Sequence, residues 1–227
     1  MAILEFPPVN LADPQGLLAI GGDLEISSLK LAYSQGIYPW PASDAHPIPW
    51  FSPDPRGVLF FKDLKISLSL KKVLKKNIFK VQFNSDFERV ILACANAKRK
   101  DNGGTWLTKN MIEAYINFHY AGFAYSVETL DENDNLVGGV YGVNIGNFVS
   151  GESMFYLKPN ASKVALVSLM NFLHQKGIEW LDTQMVTPVV ASLGGIEISR
   201  EKFLTMLNSS VKKSSGKLIS IFPQNFK

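Results

Sequence analysis

A chain of 227 residues is long enough to bury a core as one large or two modest domains, and 46% apolar against 19% charged residues excludes a disordered polymer. The opening "MAILEFPPVN" has no basic n-region and no apolar run approaches the roughly 18 residues of a membrane span, so neither a secretory signal nor a membrane anchor is expected. Cys94 is the single cysteine, which excludes an internal disulfide and fits a cytoplasmic protein; His46, His119 and His174 show neither HExxH spacing nor nearby cysteines, so no metal site and no cofactor are expected.

The first fifty-odd residues are rich in Gly, Pro and aromatics. A short helix is expected over Ser28–Gln35, closed by Gly36, and tight turns elsewhere. Pro53 and Pro55 place a domain boundary near Arg56, giving a small domain over 1–55 and a larger one over 56–227. The net charge of +3 is unevenly spread: seven of the 23 basic residues lie between Lys62 and Lys80, with Asp63 the only acid among them. There "SLSLKKVLKKN" sets Leu70, Val73 and Leu74 on one helical face and Lys71, Lys72, Lys75 and Lys76 on another. Such a row either follows a phosphate backbone or is an ordinary solvated face.

Thr108 is expected to cap a helix running to Ala121, with Ile112, Tyr115, Ile116 and His119 as its stripe. "FAYSVETL", "LVGGVYGVNI" and "FVSGESMFY" read as strands, and the turn formers between them predict an antiparallel meander. Asn160 is expected to cap a helix that ends at Gly177; the strand "IEWLDTQ" follows, and Ser199 opens another helix. The order β-β-β-α-β suits an α+β domain, one sheet with helices packed on it.

Glu152 is the anomaly, an ionisable group in an apolar strand, where a carboxylate is paired, protonated or used. Alternation sets Ser150, Glu152 and Met154 on one strand face and Asp182 with Gln184 on one face of another. If the intervening helix is a crossover, both carboxylates and the amide share a pocket; otherwise each is a separately satisfied strand residue.

Nine stretches in order then resemble one family: "GLLAIGGDL", "AYSQGIYPW", "WFSPDPRGVL", "TWLT", "LVGGVYGV", "GESMF", "NASKVAL", "LDTQ" and "ASLGGIEI". The chain is similar to the leucyl/phenylalanyl-tRNA–protein transferases. The resemblance implies a cytoplasmic, monomeric enzyme that moves Leu or Phe, and less well Met, from Leu-tRNA or Phe-tRNA to the α-amine of proteins beginning with Arg or Lys. The product carries an N-degron that marks it for degradation. It also implies a small N-terminal domain followed by a larger domain resembling acyl-CoA N-acyltransferases, with a central, mostly antiparallel sheet flanked by helices.

An aminoacyl ester is already activated, so its aminolysis needs the amine held near the carbonyl and a sink for one proton, without nucleophile or metal. The expectation is that Gln184 accepts a hydrogen bond from the attacking amine while Asp182 orients Gln184, a pair to which the resemblance also points. Glu152 either recognises a cationic first residue or α-ammonium of the acceptor, or is structural. Carried across from the family, Trp40 and Trp106 line an apolar aminoacyl pocket and Tyr115 lies near the tRNA acceptor end. Val140 stands where a methionine is common and Leu173 where a phenylalanine is expected, so the pocket walls are smaller. Lys71, Lys72, Lys75 and Lys76 match the family's tRNA-backbone patch, although Leu68 replaces an expected basic residue; "VKKSSGK" near the C-terminus adds charge or is a solvated tail.

Two other functions are weighed. A CoA-dependent N-acetyltransferase needs a glycine-bearing loop before its phosphate-binding helix, whereas "YLKPNASK" has none and carries Pro159. A non-catalytic tRNA-binding module would lack Asp182 or Gln184, and both are present.

Overall fold

Residues 2–97, 106–212 and 221–223 are described by the computed structural model. Thr105 of "TWLT" and Lys213–Lys217 of the basic tail lie outside the described residues, as does the side chain of Lys212. In the first part, β1 (Leu17–Ile20), α1 (Ile26–Ser34), β2 (Tyr38–Pro39) and β3 (Pro49–Phe51) build a three-stranded antiparallel sheet in the order β1-β3-β2. The expected helix over 28–35 is α1, two residues earlier at its start and one shorter at its end. The chain continues as β4 (Arg56–Phe60), α2 (Leu68–Lys76), β5 (Lys80–Phe83), α3 (Phe87–Ala95) and α4 (Lys109–Tyr120). Then come the meander β6 (Ala124–Leu130), β7 (Leu136–Ile145) and β8 (Phe148–Tyr156), followed by α5 (Ala161–Gln175), β9 (Trp180–Gln184), α6 (Pro188–Ser192), β10 (Ile196–Ile198) and α7 (Arg200–Lys212).

These strands form one seven-stranded sheet in the order β10-β4-β9-β8-β7-β6-β5. Every neighbouring pair is antiparallel except β8 and β9, which α5 connects as a crossover and which run parallel with Ser150 opposite Asp182. The architecture is α+β, a small sheet followed by a larger mixed sheet flanked by helices. All residues of β6 and β7 are buried because both sheet faces are covered. Alternate side chains feed two cores: Tyr141 and Val143 join residues of α3 and α4, while Val140 and Val127 join residues of α5.

Three local expectations need correction. Outside α1, the first part is not turns alone: its Gly- and Pro-rich stretches carry the short paired strands β1, β2 and β3. The buried face of α4 is Met111, Ala114, Tyr115, Phe118 and His119, with Ile112 and Ile116 only half-buried, because its aromatic neighbours lie on that side. Thr108 does cap this helix, its side chain accepting from the Met111 N–H. Asn160 makes no side-chain cap; it enters α5 from the left-handed region at φ 69°, a conformation asparagine tolerates better than most residues.

Candidate active site

β9 ends in a distorted turn that determines the local chemistry. Between β4 and β9 the register slips, so that Gly57 faces Gln184 while the next residue, Val58, faces Asp182. The backbone of Met185 passes so close that a Cβ on Gly57 would lie 2.5 Å from the Met185 carbonyl carbon. Gln184 itself is left-handed at φ 53°, an unfavourable state for a residue with a side chain unless its surroundings hold it there. Two anchors do so. Its backbone N–H donates to Asp182 Oδ1 at 3.1 Å, and its side-chain Nε2 donates to Glu152 Oε1 at 2.8 Å.

Gln184 therefore bridges the two carboxylates that alternation set on neighbouring strands. The carboxylates themselves occupy different settings. Asp182 is wholly buried and takes a two-pronged contact from Arg56, Nε to Oδ1 at 2.8 Å and Nη2 to Oδ2 at 2.7 Å. Arg56 Nη1 donates to the Gly36 carbonyl, and the guanidinium lies 4.3 Å from the Phe203 ring centre and 4.9 Å from that of Tyr38. Planar pairing and ring stacking of this kind suit arginine alone among the cations. Glu152 has no such counter-ion. Ser150 Oγ donates to its Oε1 at 2.6 Å and the Tyr33 hydroxyl also bonds it. Burial outweighs these bonds and pushes its carboxyl up to about 7.

Just past the Ser150–Asp182 pairing, a cavity of about 200 Å³ opens between β8 and β9. Glu152 and Gln184 form its polar side, Trp40 and Trp106 stand over it with ring centres 6.3 Å apart, and Val140, Met154, Leu166 and Leu181 line its apolar depth. Val189 and Val190 of α6 contribute a further wall. The Thr183 hydroxyl is buried on this wall without a hydrogen-bond partner among the described residues. The arrangement offers an apolar recess beside an amide oxygen and a carboxyl that titrates near neutrality.

Of the residues singled out from the sequence, Glu152, Gln184, Trp40, Trp106 and Val140 meet at this cavity. Asp182 lies behind it and reaches Gln184 through the backbone, not through the side-chain amide. Leu173 does not line the cavity; it points into the core between α5 and the sheet. Tyr115 is also wholly buried, its hydroxyl bonded to that of Tyr33, so it presents no surface at the cavity. Lys71, Lys72, Lys75 and Lys76 are all exposed on α2, with Leu70 turned inward, and none has an acidic partner among the described residues. Sequence reasoning missed Arg56 and Tyr33. The signal for Arg56 was an arginine opening the apolar run "RGVLFF" while a strand aspartate elsewhere lacked a counter-charge.

Two family descriptions match the chain: leucyl/phenylalanyl-tRNA protein transferase over residues 58–208, and the N-terminal domain of the same family over residues 22–54. A leucyl/phenylalanyl-tRNA–protein transferase of Flavobacterium johnsoniae is 48% identical over 206 residues, covering 91% of this chain and 96% of the relative. Those of Syntrophobacter fumaroxidans and Nitrosospira multiformis are 49% and 50% identical, each over 208 residues and 88% of the relative, with 92% and 91% of this chain covered. A solved acetyltransferase of the GNAT family from Staphylococcus aureus superposes at a TM-score of 0.33 and 12% identity, over 44% of this chain and 69% of that one, too distant to carry an argument.

Proposed function

The chain belongs to the leucyl/phenylalanyl-tRNA–protein transferase family of aminoacyltransferases, and on that premise we propose that it transfers Leu or Phe, and less well Met, from tRNA to proteins beginning with Arg or Lys. In this reading it works as a cytoplasmic monomer of two domains, 1–55 and 56–227, and its product is an N-degron.

The observation that carries the reading is the fixed Gln184 amide beside the apolar recess. Glu152 occupies its Nε2, so the amide is held with Oε1 as its acceptor atom. The attacking α-amine donates to Oε1 while its lone pair faces the ester carbonyl; the new C–N bond replaces the ester C–O bond, and the proton the amine sheds ends on the departing ribose oxygen of the tRNA. Holding the two reactants together supplies much of the acceleration. With a pKa of about 7.7–8.0, the amine is partly neutral near pH 7, and the bond to Oε1 stabilises the charge it gains on attack. Asp182 acts one step back. Anchored by Arg56, it holds the Gln184 backbone in its left-handed turn. Glu152, when ionised, attracts the cationic first side chain of the acceptor, and the Leu or Phe side chain fills the recess below Trp40 and Trp106. Val140 sets its depth, and a pocket distinguishes one methylene by only about 1–3 kcal/mol.

The exposed lysines of α2 serve the tRNA backbone. Changing all four to Gln is expected to lower the slope of log K against log salt by up to about 3, near 0.7–0.9 for each phosphate left without its ammonium. The transfer itself is tested with labelled leucine on Leu-tRNA and peptides beginning with Arg or Glu. Label on the Arg peptide alone, falling about 100-fold in Gln184→Ala, supports the reading. Folded protein that binds tRNA and labels neither peptide overturns it.

A further inference from the structure

Strand β8 carries an irregularity at the functional position. Tyr141 of β7 faces Ser153, and the next residue, Gly142, faces Gly151, which leaves Glu152 as the extra residue of a bulge. Bulges re-aim a side chain, and their shape depends on what holds the displaced backbone. Here the Ser150 carbonyl is displaced toward β7, where a Cβ on Gly142 would lie 1.8 Å from that oxygen and 2.7 Å from the Tyr125 hydroxyl. The Tyr125 hydroxyl donates to this carbonyl at 2.9 Å. The Ser150 side chain in turn donates to Glu152 Oε1.

Tyr125 is itself covered by the far end of the chain. Phe222 is only 2% exposed and stacks on Tyr125 with ring centres 4.0 Å apart and planes 4° from parallel; Phe172 closes its other flank at 5.1 Å. Two buried asparagines hold the backbone on either side of Phe222. The Ile221 N–H donates to Asn144 Oδ1 at 3.1 Å, while Asn144 Nδ2 donates to the carbonyls of Gly146 and Phe148. Asn84 Nδ2 donates to the Pro223 carbonyl at 2.8 Å, while its Oδ1 accepts from the Ser126 N–H. Each amide thus ties the tail to the sheet with both of its ends, which is the signature of a built contact. The tail lies beyond residue 208, where the family match stops.

We propose that Ile221–Pro223 are a strap that positions the acceptor-recognition carboxyl: Phe222 seats Tyr125, Tyr125 fixes the Ser150 carbonyl, and the bulge so held aims Glu152 into the cavity. Phe222 and Tyr125 are positioning residues in this scheme, and they touch neither substrate. The strap rests on the reading of Glu152 given above.

The test is the ratio of kcat/KM for an Arg-starting peptide to that for a Gln-starting peptide, with saturating Leu-tRNA. A variant that merely destabilises the protein lowers both values equally and leaves the ratio unchanged. Phe222→Ala is expected to lower the ratio about fivefold to tenfold, the scale of one buried hydrogen bond. Tyr125→Phe keeps the packing, removes the hydroxyl, and is expected to do the same; the double variant falls no further than either single one. Glu152→Gln, run beside them, collapses the ratio. If Glu152→Gln collapses it while Phe222→Ala and Tyr125→Phe do not, the strap is overturned and the reading of Glu152 stands. A fall in Phe222→Ala alone overturns the route through Tyr125. If Glu152→Gln also leaves the ratio intact, the acceptor role of Glu152 fails and the strap fails with it.

Discussion

Asp182 and Glu152 sit within two residues of the same strand pairing, yet one is wholly buried and the other half-buried at a cavity. Asp182 has a bidentate arginine, no contact with solvent and a backbone to hold. Glu152 has two hydroxyls, an amide and an open cavity, but no counter-ion of its own. A desolvated ion is tolerated when a fitted opposite charge accompanies it; without one, the group neutralises instead. The first arrangement makes a fixed strut and the second a carboxyl that can change state where substrate arrives.

The comparison breaks most severely at the strut. Asp182→Asn leaves Arg56 buried with its charge uncompensated, and the expected loss is about 3–5 kcal/mol, read from urea or thermal unfolding. Activity falls with it, since the side chain that accepts from the Gln184 N–H is itself held in place by the Arg56 pair.

At the other carboxyl the effect is smaller and depends on pH. Its folded value of about 7 lies above the ordinary 4.5, so the fold favours the protonated form. The associated stability is fully present below about pH 4.5 and is lost as pH rises through 7. Glu152→Gln keeps the group neutral throughout and is expected to be relatively more stable at pH 8 than at pH 5, by at most roughly 3 kcal/mol, less because the cavity admits water. The ratio of transfer to an Arg-starting peptide over a Gln-starting one, in which the titration of the common α-amine cancels, is expected to rise with pH through a midpoint near 7, and that rise disappears in Glu152→Gln. Equal pH profiles for the two proteins would remove the distinction between the acids.

The smallest effect sharpens the picture of the recess between them. Thr183→Val replaces a buried hydroxyl that has no partner among the described residues with a methyl of similar shape. Stability is expected to be unchanged or to rise by up to about 1 kcal/mol. A loss of more than that by calorimetry would show that the hydroxyl is engaged.

Much of this arrangement is written locally in the chain. The meander follows from turn formers between runs of strand-forming residues. A helix between two strands implies a crossover, and Glu152 declares itself by being charged where its neighbours are not. Five of the site residues expected from the sequence do meet at the cavity. Leu173 and Tyr115, both carried across from the family, lie instead in the two cores, Leu173 among residues of α5 and Tyr115 among those of α3 and α4. The α4 stripe is offset because the aromatic neighbours that choose its buried side are remote in sequence.

The sequence by itself determined the class of the fold, the meander with the crossover helix and strand that follow it, and the identity of the two acids, since propensity, turn chemistry and periodicity act over a few residues. Only the tertiary structure decided which acid would be paired with an arginine and which would face the cavity without a counter-ion. Arg56 reaches Asp182 across 126 positions of chain, and the bulge beneath Glu152 forms where strands 25 residues apart exchange a hydroxyl and a carbonyl. Charge state in a protein interior depends on distances of a few ångströms between such remote groups, and those distances exist only once the sheet has closed.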